Sequence, residues 1–450
     1  MIKYKFSKYN YKLYENGNYY LYNSRTGGFL LIDPEYSSFI KNCSFDENES
    51  DFYQISQFPD ELISYLSKGS FIIDNNLNEL NLIKAAHRIM AENNSLSLTI
   101  VPTLECNFRC SYCFEKWNNY PKGEMKENVQ LEILEYIKKN IGKNGNLSIC
   151  WYGGEPLISL NIIKNLQNKI NAFAKSNNIR LYTSIITNGY LLTPNVSDIL
   201  SNLEINNVQI TLDGSELIHD KTRYLVNGEG SFRRITKNIL DANKSLNISI
   251  RVNISKNNIK YHHLFLDEMK KYNLSNLENV VFYYSLVRDS FKKDYINKEE
   301  LLNIKTFSDE EIFLMKEAFE NGLPIYPNIN PKFYSCGAIS SKSLVIEPNG
   351  NIQKCYEFVG DNTKCIGNIL NQSNELDENL TLKNLTDWYS WSPFDQKECL
   401  NCKVLPLCLG GCPMYSLTEK EDFDISYKCS NLKYNLESTL KIFLKYKGVH

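Results

Sequence analysis

Ten of the thirteen cysteines in this 450-residue chain stand in two ordered groups. The first is Cys106-Asn-Phe-Arg-Cys110-Ser-Tyr-Cys113, a C-x3-C-x2-C run on one loop, directly after the apolar stretch Leu98-Thr-Ile-Val101. A zinc ribbon uses two C-x2-C knuckles, and this spacing is not that pattern. Three thiolates closing on an iron–sulfur cubane would leave one iron without a protein ligand, an open position where another molecule can bind. The competing reading is a structural metal loop or a set of reduced core thiols. The second group is Cys336, Cys355, then Cys399-x2-Cys402-x5-Cys408-x3-Cys412, and Cys429. Taken alone, the stretch from Cys399 to Cys412 also reads as a zinc knuckle. The remaining Cys43, Cys150 and Cys365 are expected to be small buried residues.

These groups need elements to hold them. From residue 95 the pattern alternates strand and helix. Strands are expected at 147–152, 179–186, 208–212, 248–254 and 280–286. Helices are expected at 162–174, 194–203, 232–242 and 262–272, and Val129, Ile133, Ile137 and Ile141 recur at helical spacing. Counting the strand before the first cysteines, this gives about six strand–helix units with parallel connections. In such barrels ligands gather at the C-terminal ends of the strands. Gly153-Gly-Glu-Pro156, Thr187-Asn-Gly189 and Thr211-Leu-Asp-Gly214 each follow a strand, and His219-Asp-Lys-Thr-Arg223 comes shortly after the last. Glycines allow close backbone approach, a carboxylate can stabilise an ammonium group, and an arginine fork suits a carboxylate. His219 and Asp220 are expected to orient the loop. Arg251 reads as a second contact to an anionic ligand or as a partner of Asp213.

Net charge is −2, from 50 basic and 52 acidic residues, so no global field favours nucleic acid or an anionic membrane. No apolar run is long enough to span a bilayer, and Met1-Ile-Lys-Tyr-Lys-Phe lacks the apolar core of a signal peptide. A cytoplasmic protein without a disulfide framework is the expectation. Residues 1–90 hold no catalytic cluster. Strands at 19–22, 29–32 and 69–73 with helices at 36–40 and 59–66 predict a small winged-helix-like unit, and 77–91 a connecting helix. Residues 296–330 read as a charged helical bridge. At 343–347 and 351–354 a hairpin is expected around Pro348-Asn-Gly350.

The triplet Cys106, Cys110 and Cys113, the Gly153–Pro156 turn and the seven later cysteines together resemble the radical S-adenosylmethionine (SAM) enzymes that carry a C-terminal SPASM domain. Within that family the layout is similar to maturases of ribosomally made peptides of the sactipeptide and ranthipeptide thioether type. The resemblance covers residues 95 to 435, more loosely before that. It implies an α/β fold: a partial (β/α)6 barrel over 91–295, a winged-helix-like peptide-recognition domain over 1–90, a helical bridge over 296–330 and a cysteine-rich iron–sulfur domain over 331–450. It implies three [4Fe–4S] clusters and SAM. Cys106, Cys110 and Cys113 would hold the SAM-binding cluster. Tyr112, Gly153, Gly154, Glu155, Pro156, Thr187, Asn188, Thr211, Asp213, Arg223 and Leu286 would surround SAM, with the Gly153–Pro156 turn receiving its amino group. Cys399, Cys402, Cys408 and Cys429 would hold one auxiliary cluster. Cys336, Cys355 and Cys412 would hold the other, with Cys365 or a substrate group as its fourth ligand.

The activity implied is hydrogen abstraction from a precursor peptide by a 5′-deoxyadenosyl radical, followed by a bond from cysteine sulfur to carbon. The implied partners are a precursor peptide with a leader and a reductant such as flavodoxin or ferredoxin, with no nucleic acid and no membrane. A second reading is an anaerobic sulfatase maturase making formylglycine. Those enzymes tend to carry an Asp directly after the cysteine corresponding to Cys355, where this chain has Tyr356 and then Glu357. A third is a non-catalytic iron–sulfur electron carrier with a peptide-binding module.

Overall fold

The computed structural model describes residues 3–45, 54–113, 115, 123–288, 298–371, 376–418 and 425–448. Six strands alternate with helices exactly where apolar residues recur at every second position. They are β6 (Ser95–Ile100), β7 (Asn146–Trp151), β8 (Arg180–Thr187), β9 (Asn207–Thr211), β10 (Asn247–Ile254) and β11 (Val280–Leu286). All five neighbouring pairs are parallel and follow chain order. The period of two sorts the side chains. In β7, Leu147, Ile149 and Trp151 are buried while Ser148 and Cys150 are half-buried. In β6, Leu96, Leu98 and Ile100 are buried while Ser97 and Thr99 are half-buried. The buried side faces the helices, and the opposite face is polar and lines open space. Unlike a closed barrel, whose interior is filled by layered side chains, this one keeps its concave side for ligands.

The helices that cover the sheet carry matching apolar stripes. Val129, Ile133 and Ile137 are buried in one helix (Glu127–Asn140), and Ile163, Leu166 and Ile170 in the next (Leu160–Ser176).

The sheet does not stop at β6. The hairpin expected near residue 350 forms as β12 (Ser343–Ile346) and β13 (Asn351–Gln353), but β12 also pairs in parallel with β6, Ser343 beside Ser97 and Ile346 beside Ile100. A short β14 (Gly367–Asn368) pairs with β13, giving nine strands in one sheet. Nothing local in residues 343–346 announces a partner so far back along the chain.

The front of the chain forms β1 (Tyr4–Phe6), which pairs antiparallel with β5 (Ile72–Asp74), and a meander of β2 (Asn10–Glu15), β3 (Asn18–Asn23) and β4 (Phe29–Leu31). The strands β1 and β2 are additions to the expected set. Tyr4–Phe6 is only three residues long, and Asn10–Glu15 has polar groups at both parities. One face of the meander, with Leu13, Tyr20 and Tyr22, packs on Val404, Leu407, Leu436 and Leu440 of the cysteine-rich region. The front unit is therefore seated on the C-terminal part of the chain. The bridge contains one long helix, Ile304–Glu320. Its buried Glu311 accepts hydrogen bonds from Asn431 and Asn435, the latter at 3.0 Å, which fixes it to the last helix, Leu432–Tyr446. The expected boundary at 295/296 lies outside the described residues. Among the described residues no helix is long and apolar enough to cross a membrane.

Leu98 is fully buried between the sheet and its helices. Leu98→Ala should cost about 2–4 kcal/mol by lost transfer energy and the cavity left behind, seen as a lower denaturant midpoint of unfolding.

Candidate active site at the C-terminal ends of the strands

The cysteine loop leaves β6 and is held as an extended segment against residues 222–226. Ser111 N donates to Thr222 O at 2.9 Å, Arg109 N to Tyr224 O at 2.8 Å, and Val226 N to Asn107 O at 3.0 Å. On its other side lies the turn after β7. Gly153, at φ +134°, and Gly154 lie flat against the loop: a Cβ would meet Thr103 O at 2.4 Å in the first case and Glu105 O at 2.3 Å in the second. Glu155 N donates to Glu105 O at 2.8 Å. Both glycines are thus required by the close approach of two backbones.

Glu155 is fully buried and all its bonds are to protein. Oε1 accepts from Thr187 Oγ1 at 2.7 Å and from Leu157 N at 3.1 Å, and Oε2 accepts from Asn188 N at 2.7 Å. Burial raises its pKa, and these three donors oppose the rise. Its carboxylate braces the end of β8. Neither Glu155 nor Pro156 is among the residues lining the large cavity. Asn188 extends the brace, donating from Nδ2 to Asn107 Oδ1 at 2.8 Å.

Beyond β9, Asp213 is buried and accepts from the Tyr112 hydroxyl and from Asn253 N at 3.3 Å. Arg223 follows the helix Glu216–Thr222; its Nη1 donates to the Tyr112 hydroxyl at 2.8 Å, and its guanidinium lies 5.8 Å from the Phe108 ring centre. Arg223 Nε is buried without a hydrogen-bond partner. Arg251 does not pair with Asp213. Its Nε donates to Asn253 Oδ1 and its Nη2 to Ser285 Oγ, both at 2.8 Å, because Arg251, Asn253 and Ser285 share the inner face of β10 and β11. His219 is fully buried. Its Nδ1 accepts from Asp213 N at 3.2 Å, so Nε2 carries the proton and donates to Ser231 Oγ at 3.0 Å. Asp220 accepts from Ser231 N and Phe232 N at 2.8 and 2.9 Å. The His–Asp pair builds the loop.

These elements surround a cavity of about 770 Å³. Cys106, Cys110, Cys113 and Tyr112 line it, as do Gly153, Gly154, Thr187, Asn188, Thr211, Arg223 and Leu286. Asp213 sits behind the wall. At the far side the lining continues to Arg288, Tyr356, Glu357 and Tyr415. Asn107, Asn253 and Ser285 are site residues that motif reading missed. Asn253 and Ser285 had a signal, since each lies two positions on from an inner-face residue near a strand end. Asn107 had none.

The later cysteines form two sets. Cys399, Cys402, Cys408 and Cys429 line one small cavity, with Lys433 Nζ 3.6 Å from Cys429 Sγ. Among the described residues no three His, Cys, Asp or Glu side chains converge on a single-ion site. Cys336, Cys355 and Cys412 lie within electrostatic reach of one another. Gly411, at φ +72°, presses on this region, and a Cβ there would meet Lys428 O at 1.9 Å. Cys365 is elsewhere: it is fully buried under the β12–β13 hairpin and accepts from Gln353 Nε2 at 3.1 Å. Cys43 is buried too, and Cys150 is half-buried on the inner face of β7.

A sequence profile of the Radical SAM superfamily matches residues 100–269. The Cysteine-type anaerobic sulfatase-maturating enzyme of Clostridium novyi (strain NT) is 31% identical over 341 residues, 71% of this chain and 88% of that protein. The chain belongs to the radical SAM superfamily. The Radical SAM cyclopropyl synthase TigE of Paramaledivibacter caminithermalis is 26% identical over 438 residues, covering 88% of this chain and 87% of TigE. Among solved structures, anSMEcpe with bound AdoMet and Cp18Cys peptide aligns with a TM-score of 0.61 at 22% identity, over 79% of this chain and 100% of that one. Streptococcus suis SuiB bound to its precursor peptide SuiA aligns at 0.52 and 18% identity, over 95% and 99%. These two show the shared fold.

Radical SAM enzymes work with SAM and a [4Fe–4S] cluster, and the residues present fit both. Three thiols on one loop suit a cluster that keeps an open iron. Without metal, burial pushes these thiols up, Cys113 to about 12, and metal binding would hold them as thiolates. The Arg223 guanidinium, part of the cavity lining, suits a carboxylate.

Burial holds His219 well below the usual histidine range, with Arg223 adding to the effect. Unfolding lets it take up a proton, so its contribution to stability is present above about pH 6.5 and is lost as pH falls below that value. Between pH 6.5 and 5, the wild-type unfolding free energy should fall more steeply than that of His219→Gln, by up to about 1.4 kcal/mol per pH unit. Denaturant titrations across that range check it.

Proposed function

We propose that this radical SAM enzyme is a peptide maturase that joins a cysteine sulfur to a carbon of its substrate. The observation that carries the reading is the shared cavity. One space runs from Cys106, Cys110 and Cys113 to Tyr356 and Tyr415, next in sequence or nearly so to Cys355 and Cys412. A substrate lying in it would meet the first thiol group and the stretches of chain that carry Cys355 and Cys412. The relatives support the broader part of the reading, modification of a peptide or protein: a cyclopropyl synthase and a sulfatase-maturating enzyme, with the fold of SuiB, which was solved with a precursor peptide.

When bound, SAM and the reduced cluster supply a 5′-deoxyadenosyl radical that abstracts hydrogen. The chain's own residues do the rest. Cys106, Cys110 and Cys113 would hold the cluster. The backbone of Gly153 and Gly154 would receive the SAM amino group, with Glu155 stiffening the turn from behind. Arg223 would take the carboxylate, and Thr211 and Leu286 would line the nucleoside side. Cys399, Cys402, Cys408 and Cys429 would hold one auxiliary cluster, and Cys336, Cys355 and Cys412 the other. The placement of Cys365 with Gln353 supports a second auxiliary site with only three protein thiols. That leaves a position for the substrate cysteine, where metal would lower the thiol pKa and proximity would assist bond formation. The meander offers a leader peptide a strand edge: among the described residues no strand pairs with the outer side of β4. A flavodoxin or ferredoxin would provide the electron.

The second reading, formylglycine formation, is favoured by one observation: Glu357 lines the cavity beside Tyr356, where a carboxylate could accept a proton. Mass spectrometry after anaerobic co-expression with a cysteine-containing precursor peptide separates the two. A product that loses two hydrogens and keeps its sulfur is a crosslink. A product that loses sulfur is formylglycine, and no mass change with either substrate class sinks both readings.

Replacing Cys106, Cys110 and Cys113 together with Ala should remove about a third of the bound iron if three clusters are present, and all SAM cleavage. Cys365→Ala should leave iron content and crosslinking near wild type. Cys412→Ala should abolish crosslinking while SAM cleavage persists. Iron assays and product chromatography on anaerobic protein read all three, and loss of a cluster in Cys365→Ala would give that cluster a fourth protein thiol.

A further inference from the structure

Tyr112 stands between the second and third cysteines of the loop, and its hydroxyl connects three other parts of the chain. It donates to Asp213, accepts from Arg223 Nη1 at 2.8 Å, and accepts from Asn253 Nδ2 at 3.0 Å. All three of these residues are more than nine-tenths buried, with Asp213 at 2%, Asn253 at 7% and Arg223 at 9% exposure. The hydroxyl is therefore a spacer between a buried carboxylate and a buried guanidinium that do not bond to each other directly.

That spacing matters because of what Arg223 leaves unused. Phe108 covers one face of its guanidinium, and Tyr112 takes Nη1. Nε is buried without a partner, and Arg223 is among the residues lining the large cavity. A buried cation is unfavourable without a facing anion, and a carboxylate in the cavity would supply one. Opposite charges in a poorly solvated wall attract strongly. An arginine fork beside a carboxylate tends to close on it through two parallel hydrogen bonds. With no oxygen between them, Arg223 would turn onto Asp213 and withdraw its free edge from the cavity.

We propose that Tyr112 is a positioning residue: its hydroxyl keeps Arg223 off Asp213 and so presents the free edge of the guanidinium to the carboxylate of SAM. This rests on Arg223 being the carboxylate contact, as set out above. The role is distinct from any contact the ring itself makes, because a phenylalanine would keep the ring and lose the spacer.

The test is SAM affinity, measured by isothermal titration calorimetry on anaerobic holoenzyme, in a set of variants. Tyr112→Phe and Arg223→Ala should each weaken binding about tenfold or more, and the double variant should bind no more weakly than Arg223→Ala alone, since residues acting as one unit are not additive. Adding Asp213→Asn to Tyr112→Phe removes the charge that captures the guanidinium and should restore much of the lost affinity. A general loosening of the loop would not be rescued in this way. Multiplying losses in the double variant, or no rescue by Asp213→Asn, would overturn the proposal while leaving Arg223 as the contact. Wild-type affinity in Arg223→Ala would instead remove the contact itself, and the role of Tyr112 with it. Should Tyr112→Phe fail to hold iron, the same cycle is read on cluster-free protein with S-adenosylhomocysteine, which keeps the carboxylate, and the same outcomes decide.

Discussion

A carboxylate that reaches no water stands under the whole ligand-binding side of this molecule. Glu155 is fully buried, and its oxygens are satisfied by Leu157 N, Thr187 Oγ1 and Asn188 N. Removing a charge from water is expensive unless donors replace the hydration shell, so the ends of β7 and β8 are fixed relative to each other. Asn188 passes that constraint to Asn107 on the cysteine loop, and Gly153 and Gly154 lie so close to residues 103–105 that no side chain fits between. The cysteine loop is thus located by polar contacts on one side and by backbone contact on the other. A loop with that much support can hold three thiols in place before any metal arrives.

The same logic separates what was legible in the sequence from what was not. The parallel strands were legible because apolar residues at every second position report a face buried under helices. The cysteine groups were legible because their spacing is itself the chemistry. The turn carrying Glu155 was read as the receiver of an ammonium group, and the structure adds the bonds by which its carboxylate braces the end of β8, a role that the sequence did not announce. Arg251 was offered Asp213 as a partner, but inner-face geometry gave it Asn253 and Ser285. Asparagine is unremarkable in a sequence: Asn253 could be found only from its inner-face register on β10, and Asn107 became visible only when the cysteine loop met the end of β8. The pairing of the cysteine loop with residues 222–226 depends on the chain returning after three more strands, and no local pattern encodes a return.

The C-terminal region shows how few residues are needed to bring two thiol sets side by side. Gly411 allows the chain to touch Lys428 O, and Cys412 N then donates to that same oxygen at 2.9 Å. Cys412, which lies near Cys336 and Cys355, is thereby set close to Cys429, which lines the small cavity with Cys399, Cys402 and Cys408. The front meander covers the outer side of this region through Tyr22, whose hydroxyl bonds Ile329 O, and through Ser24, which donates to Lys403 O at 2.6 Å. A unit from the start of the chain thus lies against the last of the cysteine sets.

The strand β12 joins the sheet beside β6, although more than half the chain length separates Ser343 from Ser97. During synthesis, β6 emerges early and acquires β7 on one side within a few turns of chain. Its other edge stays open, with unpaired backbone groups beside buried leucines and isoleucines, until residue 346 has left the ribosome. At roughly 5–20 residues per second that is on the order of ten seconds or longer. An open apolar edge is a template for pairing with another chain, so the nascent barrel passes through a period of exposure to aggregation that ends only when the cysteine-rich region arrives. Translation speed and chaperone access over that interval, more than the stability of the finished fold, would then govern how much of this enzyme reaches its native state.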